Sequence, residues 1–135
     1  MSYRFSTALQ TAVFEALRND ANITNLVGDA IFDAEPGGTL PSIYITLGSE
    51  QVRARSDTLV VGALHEFVIS VITDAPGFAS AKAVGVAVGE VLVDAELVLD
   101  RGTLVSLRFY KARSVRIGNG KKRRIDLTFR AQISD

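Results

Sequence analysis

Residues able to do chemistry are sparse in this chain: its 135 residues include a single histidine, His65, and no cysteine. Without cysteine there is neither a disulfide framework nor a thiolate zinc site, and the composition is compatible with a reducing cytoplasm. A serine nucleophile would need His65 as its base, but no nucleophile motif stands near it. A metal site would need carboxylates converging on the same histidine. Its sequence neighbour Glu66 points to the opposite face of any strand that holds both. His65 is therefore expected to be structural or simply exposed. Asp57, Asp74 and Asp94 fall at loop and helix-end positions, where capping accounts for them. The run Gly118-Asn119-Gly120-Lys121 has the wrong spacing for a phosphate loop and opens a strand rather than a helix. The sequence thus points to no catalytic, cofactor-binding or metal-ligating residue and to no enzyme.

Charge is the more informative signal. Residues 101–135 hold ten Lys/Arg against two Asp/Glu, a net +8, whereas residues 1–100 hold five against thirteen, a net −8. Such polarity concerns association: it can bind an acidic polymer, or join one subunit's basic end to another's acidic surface. Four consecutive basic residues, Lys121 to Arg124, could contact phosphate. Strand alternation, however, sends Lys122 and Arg124 to one face and Lys121 and Arg123 to the other, with no aromatic between them. The alternative is that they keep a hairpin soluble and blunt an exposed strand end. Arg53, Arg55 and Asp57 lie in a polar stretch that reads as a partner-facing loop tip or as a solvated loop with an internal ion pair. Lys111, Arg113 and Arg116 add further candidate contact residues.

These residues need a scaffold, and the length fits one domain spanning 1–135, with 47% apolar and 22% charged residues. The N-terminus lacks a signal-peptide stretch, and the apolar run Ala83–Leu99 is interrupted by Glu90, Asp94 and Glu96. Phe5, Leu9, Ala12, Val13, Ala16 and Leu17 recur at helical spacing, with Ser2 or Ser6 able to cap the start and Asn19-Asp20 the end. A connector leads to a short strand at Ile31-Phe32 and a Pro-Gly-Gly loop. Ile43, Ile45 and Leu47 alternate against Tyr44, Thr46 and Gly48, giving a half-buried strand. In the following strand Phe67, Ile69 and Val71 share one face. Val68 and Ile72 occupy the other, which implies cover by another element or a neighbouring subunit and makes both candidate interface residues.

Asp74 and Pro76 predict the start of a second helix running through Glu96, whose Gly85 and Gly89 suggest close backbone packing. A strand from Gly102 alternates at Val105, Leu107 and Phe109, breaks at Lys111 and Arg113 and resumes at Val115 and Ile117, which implies a bulge or a segment extending beyond the sheet. Asn119-Gly120 signals a tight hairpin into a last strand with Ile125, Leu127, Phe129, Ala131 and Ile133 inward. The expected fold is α+β: a two-layer sandwich, mainly antiparallel, of about four strands with two α-helices on one face.

The N-terminal stretch from Ala8, "ALQTAVFEALRNDANITNLVGDAIFDAEPGGTLPSIYITLG", resembles the opening of the phage tail-terminator (tail-completion) family, also found in gene transfer agents. The likeness continues through "GALHEFVISVITDAPGFASAKAV" to "RRIDLTFRAQISD", so order and spacing carry it over nearly the whole chain. The resemblance implies a small α+β subunit that forms a homo-oligomeric ring, typically of six, at the head-proximal end of a tail tube. Such a ring stops tube polymerisation and seats the head-side connector or stopper protein, with DNA passing through only in transit. It implies no cofactor, no membrane and no transferable active site, and it places the protein in the virion tail after assembly in the host cytoplasm. On this reading the basic cluster faces a protein partner or the ring's end rather than the lumen. The competing reading is a nucleic-acid-binding module using the basic C-terminal hairpin.

Overall fold

The last strand is the keystone. The computed structural model describes residues 2–56 and 61–135, and in it β5 (Lys122–Ser134) lies between two antiparallel neighbours, β3 (Val61–Thr73) and β4 (Thr103–Ile117). β2 (Ile43–Ser56) pairs antiparallel with β3, and β1 (Ile31–Phe32) pairs parallel with β2, giving the order β1-β2-β3-β5-β4. The sheet thus has five strands rather than about four, one of them only two residues long. Three helices pack with it: α1 (Ser6–Arg18), α2 (Ala21–Val27) and α3 (Ala79–Leu92). This is the expected α+β sandwich with one more helix than the periodicity showed.

The core lies between the layers. Leu9, Val13 and Leu17 of α1 and Val84, Val88 and Leu92 of α3 meet Ile45, Ile69, Val71, Ile125, Leu127 and Phe129 of the sheet. Each such side chain contributes roughly 1.5–3 kcal/mol by leaving water. α2 has seven residues, too few to show a helical period in sequence. It is stabilised by the Asp20 carboxylate, which accepts from the Ile23 amide at 3.0 Å, and by burial of Ile23 and Val27.

Helix ends differ from the expected ones. α1 follows a 3₁₀ turn (Ser2–Phe5) and has Phe5 at its N-cap without a side-chain cap, because the Ser6 hydroxyl donates to Glu50 instead. α3 begins at Ala79 and not near Asp74: residues 74–78 form a bend held by Thr73, whose hydroxyl accepts from the Ala75 amide at 3.1 Å. It ends at Leu92, before Asp94 turns to a φ of 57° and ties its amide to the Leu107 carbonyl at 2.9 Å. Of the two helix glycines, only Gly85 approaches the sheet. A Cβ there would sit 3.6 Å from Leu127, whereas Gly89 faces open space.

Strand registers also shift. β2 and β3 extend as a long hairpin, so Arg53 and Arg55 are strand residues rather than a loop tip; Asp57 lies outside the described residues. β4 is bulged between Leu104 and Ser106 and again between Phe109 and Lys111, the second where the alternation breaks in sequence. The first bulge turns Leu104 and Leu107 inward and leaves Val105 exposed, so Val105, Leu107 and Phe109 do not form one buried row. The turn between β4 and β5 spans residues 118–121, with Gly118, Asn119 and Gly120 all at positive φ. It is therefore longer than a two-residue hairpin.

Candidate interaction site

The chemistry-bearing histidine is inside the fold. His65 is fully buried on the helix-facing side, and its Nδ1 lies 3.0 Å from Glu50 Oε2. Ser6 donates its hydroxyl to the other oxygen, Glu50 Oε1, at 2.5 Å. Both groups therefore address one carboxylate, and the serine proton points at Glu50 instead of an imidazole nitrogen. A nucleophile–base relay needs the serine on the histidine. His65 Nε2 has no partner among the described residues. Glu66, as expected, lies on the other face, bonded to Arg130 Nε at 3.0 Å. Among the described residues no group of three or more His, Asp or Glu is placed to hold a metal ion.

The basic cluster divides by face, as alternation requires. On the helix side, Arg123 donates to the Ala75 carbonyl at 3.2 Å, with its guanidinium 5.7 Å from the centroid of the Phe78 ring. It thereby fastens the base of the β4–β5 hairpin to the bend before α3. On the open side, Arg124 Nε lies 3.1 Å from Asp126 Oδ1, near enough for an ion pair but off the N–H direction, so it makes no hydrogen bond. Asp126 in turn accepts from Ser70 at 2.7 Å. Lys121, exposed in the turn, and half-buried Lys122 make no ion pair among the described residues.

The remaining candidates spread over the open face and the β4 edge. Ile72 is buried by another part of the same chain, within a second cluster with Ala30 and Tyr44 against which Phe32, Leu40 and Ile117 pack. Tyr44, read from alternation as solvent-facing, is buried there and donates to Glu35 at 2.5 Å. Burial, with Glu35 beside it, pushes its phenol well above the ordinary tyrosine value. Val68 is half-buried. Arg53 is exposed, and of Arg55 only its place in β2 is described. Lys111, Arg113 and Arg116 are exposed on β4 and are not gathered with Arg53 into one patch, since β4 and β2 are separated by β5 and β3.

One arrangement escaped the sequence reading. Arg130, held by Glu66, lies 3.5 Å from the centroid of the Tyr110 ring, a stacked cation–π contact on the open face. On the helix-facing side of the same edge, Phe109 lies opposite Phe129 in register and meets it edge-on, with ring centroids 5.9 Å apart. Phe109 and Tyr110 remain 48% and 47% exposed. Phe109 is exposed because β4 is an edge strand, whereas Tyr110 is the extra residue of the bulge, and a bulge has no fixed residue signature.

Comparison with known proteins gives a consistent picture. The family described as tail completion protein gp17 matches residues 11–134. A chain in a solved structure described as the virion of a native gene transfer agent particle is 51% identical and superposes with a TM-score of 0.93. The match covers 99% of this chain and 100% of that one. No curated protein matches.

Proposed function

Because this chain belongs to the tail completion protein gp17 family, we propose that it is a structural protein of the virion tail that ends the tail tube. Copies close into a ring, six in our reading, on the head-proximal end of the tube. The ring stops tube polymerisation and seats the head-side connector, and DNA crosses it only in transit. Residues 1–135 act as one domain in this role. The observation that carries the reading is 51% identity over 99% of the chain to a component of a gene transfer agent virion.

The physics of the subunit supports it. A closed ring needs heterologous contacts, in which two different patches of one surface meet head to tail. A chain with net −8 on residues 1–100 and net +8 on residues 101–135 supplies two such patches. Partners are then the chain itself, the tube protein and the connector. A nucleic-acid grip draws less support, because Arg123 and Arg124 already have partners within the subunit and no aromatic stacks in the cluster.

The test is a producer lacking this chain, with particles viewed by electron microscopy. The expected result is headless tails, many with overgrown tubes. Heads joined to tails of normal length would refute the role.

A further inference from the structure

Resting on the ring reading above, we propose that the two lateral edges of the sheet meet between neighbouring copies. The outer side of β4, centred on Phe109 and Tyr110, seats against the acidic segment around β1 of the next subunit.

β4 is an edge strand of 15 residues, about 50 Å long at ~3.3 Å per residue, and it is paired only with β5. It carries Arg108, Lys111, Arg113 and Arg116, all exposed, and no acidic residue. None of these four makes an ion pair among the described residues. At the opposite edge, the two-residue β1 is flanked by exposed Asp29, Asp33 and Glu35, and residues 29–35 contain no base. Within the subunit these carboxylates meet neutral groups: Asp33 accepts from Gln10 at 2.8 Å and Glu35 from Tyr44.

Distance decides what these charges can do. Four strand spacings of ~4.8 Å separate the two edges, about 19 Å, more than twice the ~8 Å screening length at physiological salt. The poles of one subunit cannot neutralise each other, but poles of adjacent copies can. Exposed aromatics rimmed by arginine also have the composition of a protein interface centre. The bulges beside Val105 and Tyr110 interrupt the outer backbone ladder, so the contact is carried by side chains and not by a continuous intersubunit sheet.

The chain has no cysteine, which gives a clean background for cross-linking. Asp33→Cys and Tyr110→Cys on one chain, oxidised in assembled particles, are expected to give a ladder of multimers that neither single variant gives. Copy number per particle, from quantitative mass spectrometry, separates the two ideas. Several copies without a ladder would overturn the edge contact alone, and one copy would overturn the ring. Cross-links to the tube protein or loss of a DNA contact in place of the ladder would also overturn it. Charge reversal gives a second route should the cysteines disturb assembly. Arg108→Glu with Arg113→Glu, or Asp29→Lys with Asp33→Lys, is expected to lower incorporation about tenfold or more. All four changes on one chain are expected to restore it, since every interface then holds reversed partners. Failure to restore in a chain with an unchanged melting temperature refutes the contact.

Discussion

Glu50→Ala asks whether the single histidine is a cross-link within the fold. The carboxylate holds two donors, Ser6 Oγ at 2.5 Å and His65 Nδ1 at 3.0 Å. Without it the half-buried Ser6 can turn to water, at a cost below about 1 kcal/mol. His65 cannot: it is 0% exposed, and its Nε2 already lacks a partner among the described residues. A stranded buried donor costs roughly 1–3 kcal/mol, so the total is about 2–3 kcal/mol. In a domain of 135 residues that lowers the melting midpoint by about 6–12 °C. His65→Leu removes the donor and the orphaned nitrogen together and leaves Glu50, whose side chain is 21% exposed, in reach of water. Its cost should stay near 1 kcal/mol or less. The double variant should therefore exceed His65→Leu only by the Ser6 contribution of under about 1 kcal/mol, which makes the coupling about 1–3 kcal/mol. Thermal and urea unfolding followed by circular dichroism measure all three. Strict additivity, or a Glu50→Ala cost under about 0.5 kcal/mol, would refute the reasoning. Particle assembly at low temperature supplies the functional control: if His65 did chemistry, His65→Leu would abolish assembly in a folded chain.

Further outcomes follow from the same geometry. Tyr44 keeps its proton in the fold to higher pH than in the unfolded chain, so its contribution is full below about pH 10 and lost as pH rises above it, by about 1.4 kcal/mol per unit. Tyr44→Phe should flatten that decline in urea titrations at pH 9 to 11; an unchanged slope would show that the phenol is not the group responsible. Gly102 has φ +81°, and a Cβ there would lie 2.7 Å from the Phe5 ring, so Gly102→Ala combines backbone strain with overpacking. A loss of about 2–4 kcal/mol is expected, and a midpoint within 2 °C of the parent would sink the account (about 0.5 kcal/mol for this size). Arg123→Ala should cost about 1.5–3 kcal/mol through its carbonyl bond, whereas Lys121→Ala with Lys122→Ala should stay within about 0.5 kcal/mol. DNA affinity that is strong, salt-sensitive and lost in the Lys121–Arg124 alanine variant would revive the nucleic-acid reading.

How much of this was legible in the sequence depends on whether one local rule governs a segment. β5 was legible because alternation runs unbroken from Ile125 to Ile133 and one neighbour, β3, keeps register with it along its whole length. α1 was legible from its period, down to the buried residues Leu9, Val13 and Leu17. β4 was read in the wrong phase at its start, because an inserted residue exchanges the faces of everything beyond it. Tyr44 was assigned to solvent since a strand's pattern does not reveal that the Ala30 region and Leu40 will fold over its outer face. Arg123 and Arg124 were correctly sent to opposite faces while Lys121 falls in the turn, yet what each arginine meets, Ala75 or Asp126, depends on partners 48 residues away or two along.

The histidine shows how one inserted residue settles a site. In β2–β3, Leu47 faces Ile69 and Glu50 faces Phe67, so three steps on β2 match two on β3. Without that extra residue Glu50 would lie opposite Glu66 on the open face, a like-charge pair that costs stability. With it, Glu50 turns to the helix side, where His65 and Ser6 await a carboxylate, and Glu66 is left to Arg130. Gly48 sits in this irregular stretch, and a Cβ there would come within 3.1 Å of the Val68 carbonyl. Gly48→Ala therefore presses on the bulge. If it slips the register, it should cost more than its own crowding, because the Glu50–His65 bond and the Glu66–Arg130 pair are lost together. The measurable sign is a Gly48→Ala penalty that shrinks when His65→Leu is already present. Equal penalties in both backgrounds would show that the bulge does not set the histidine's partner.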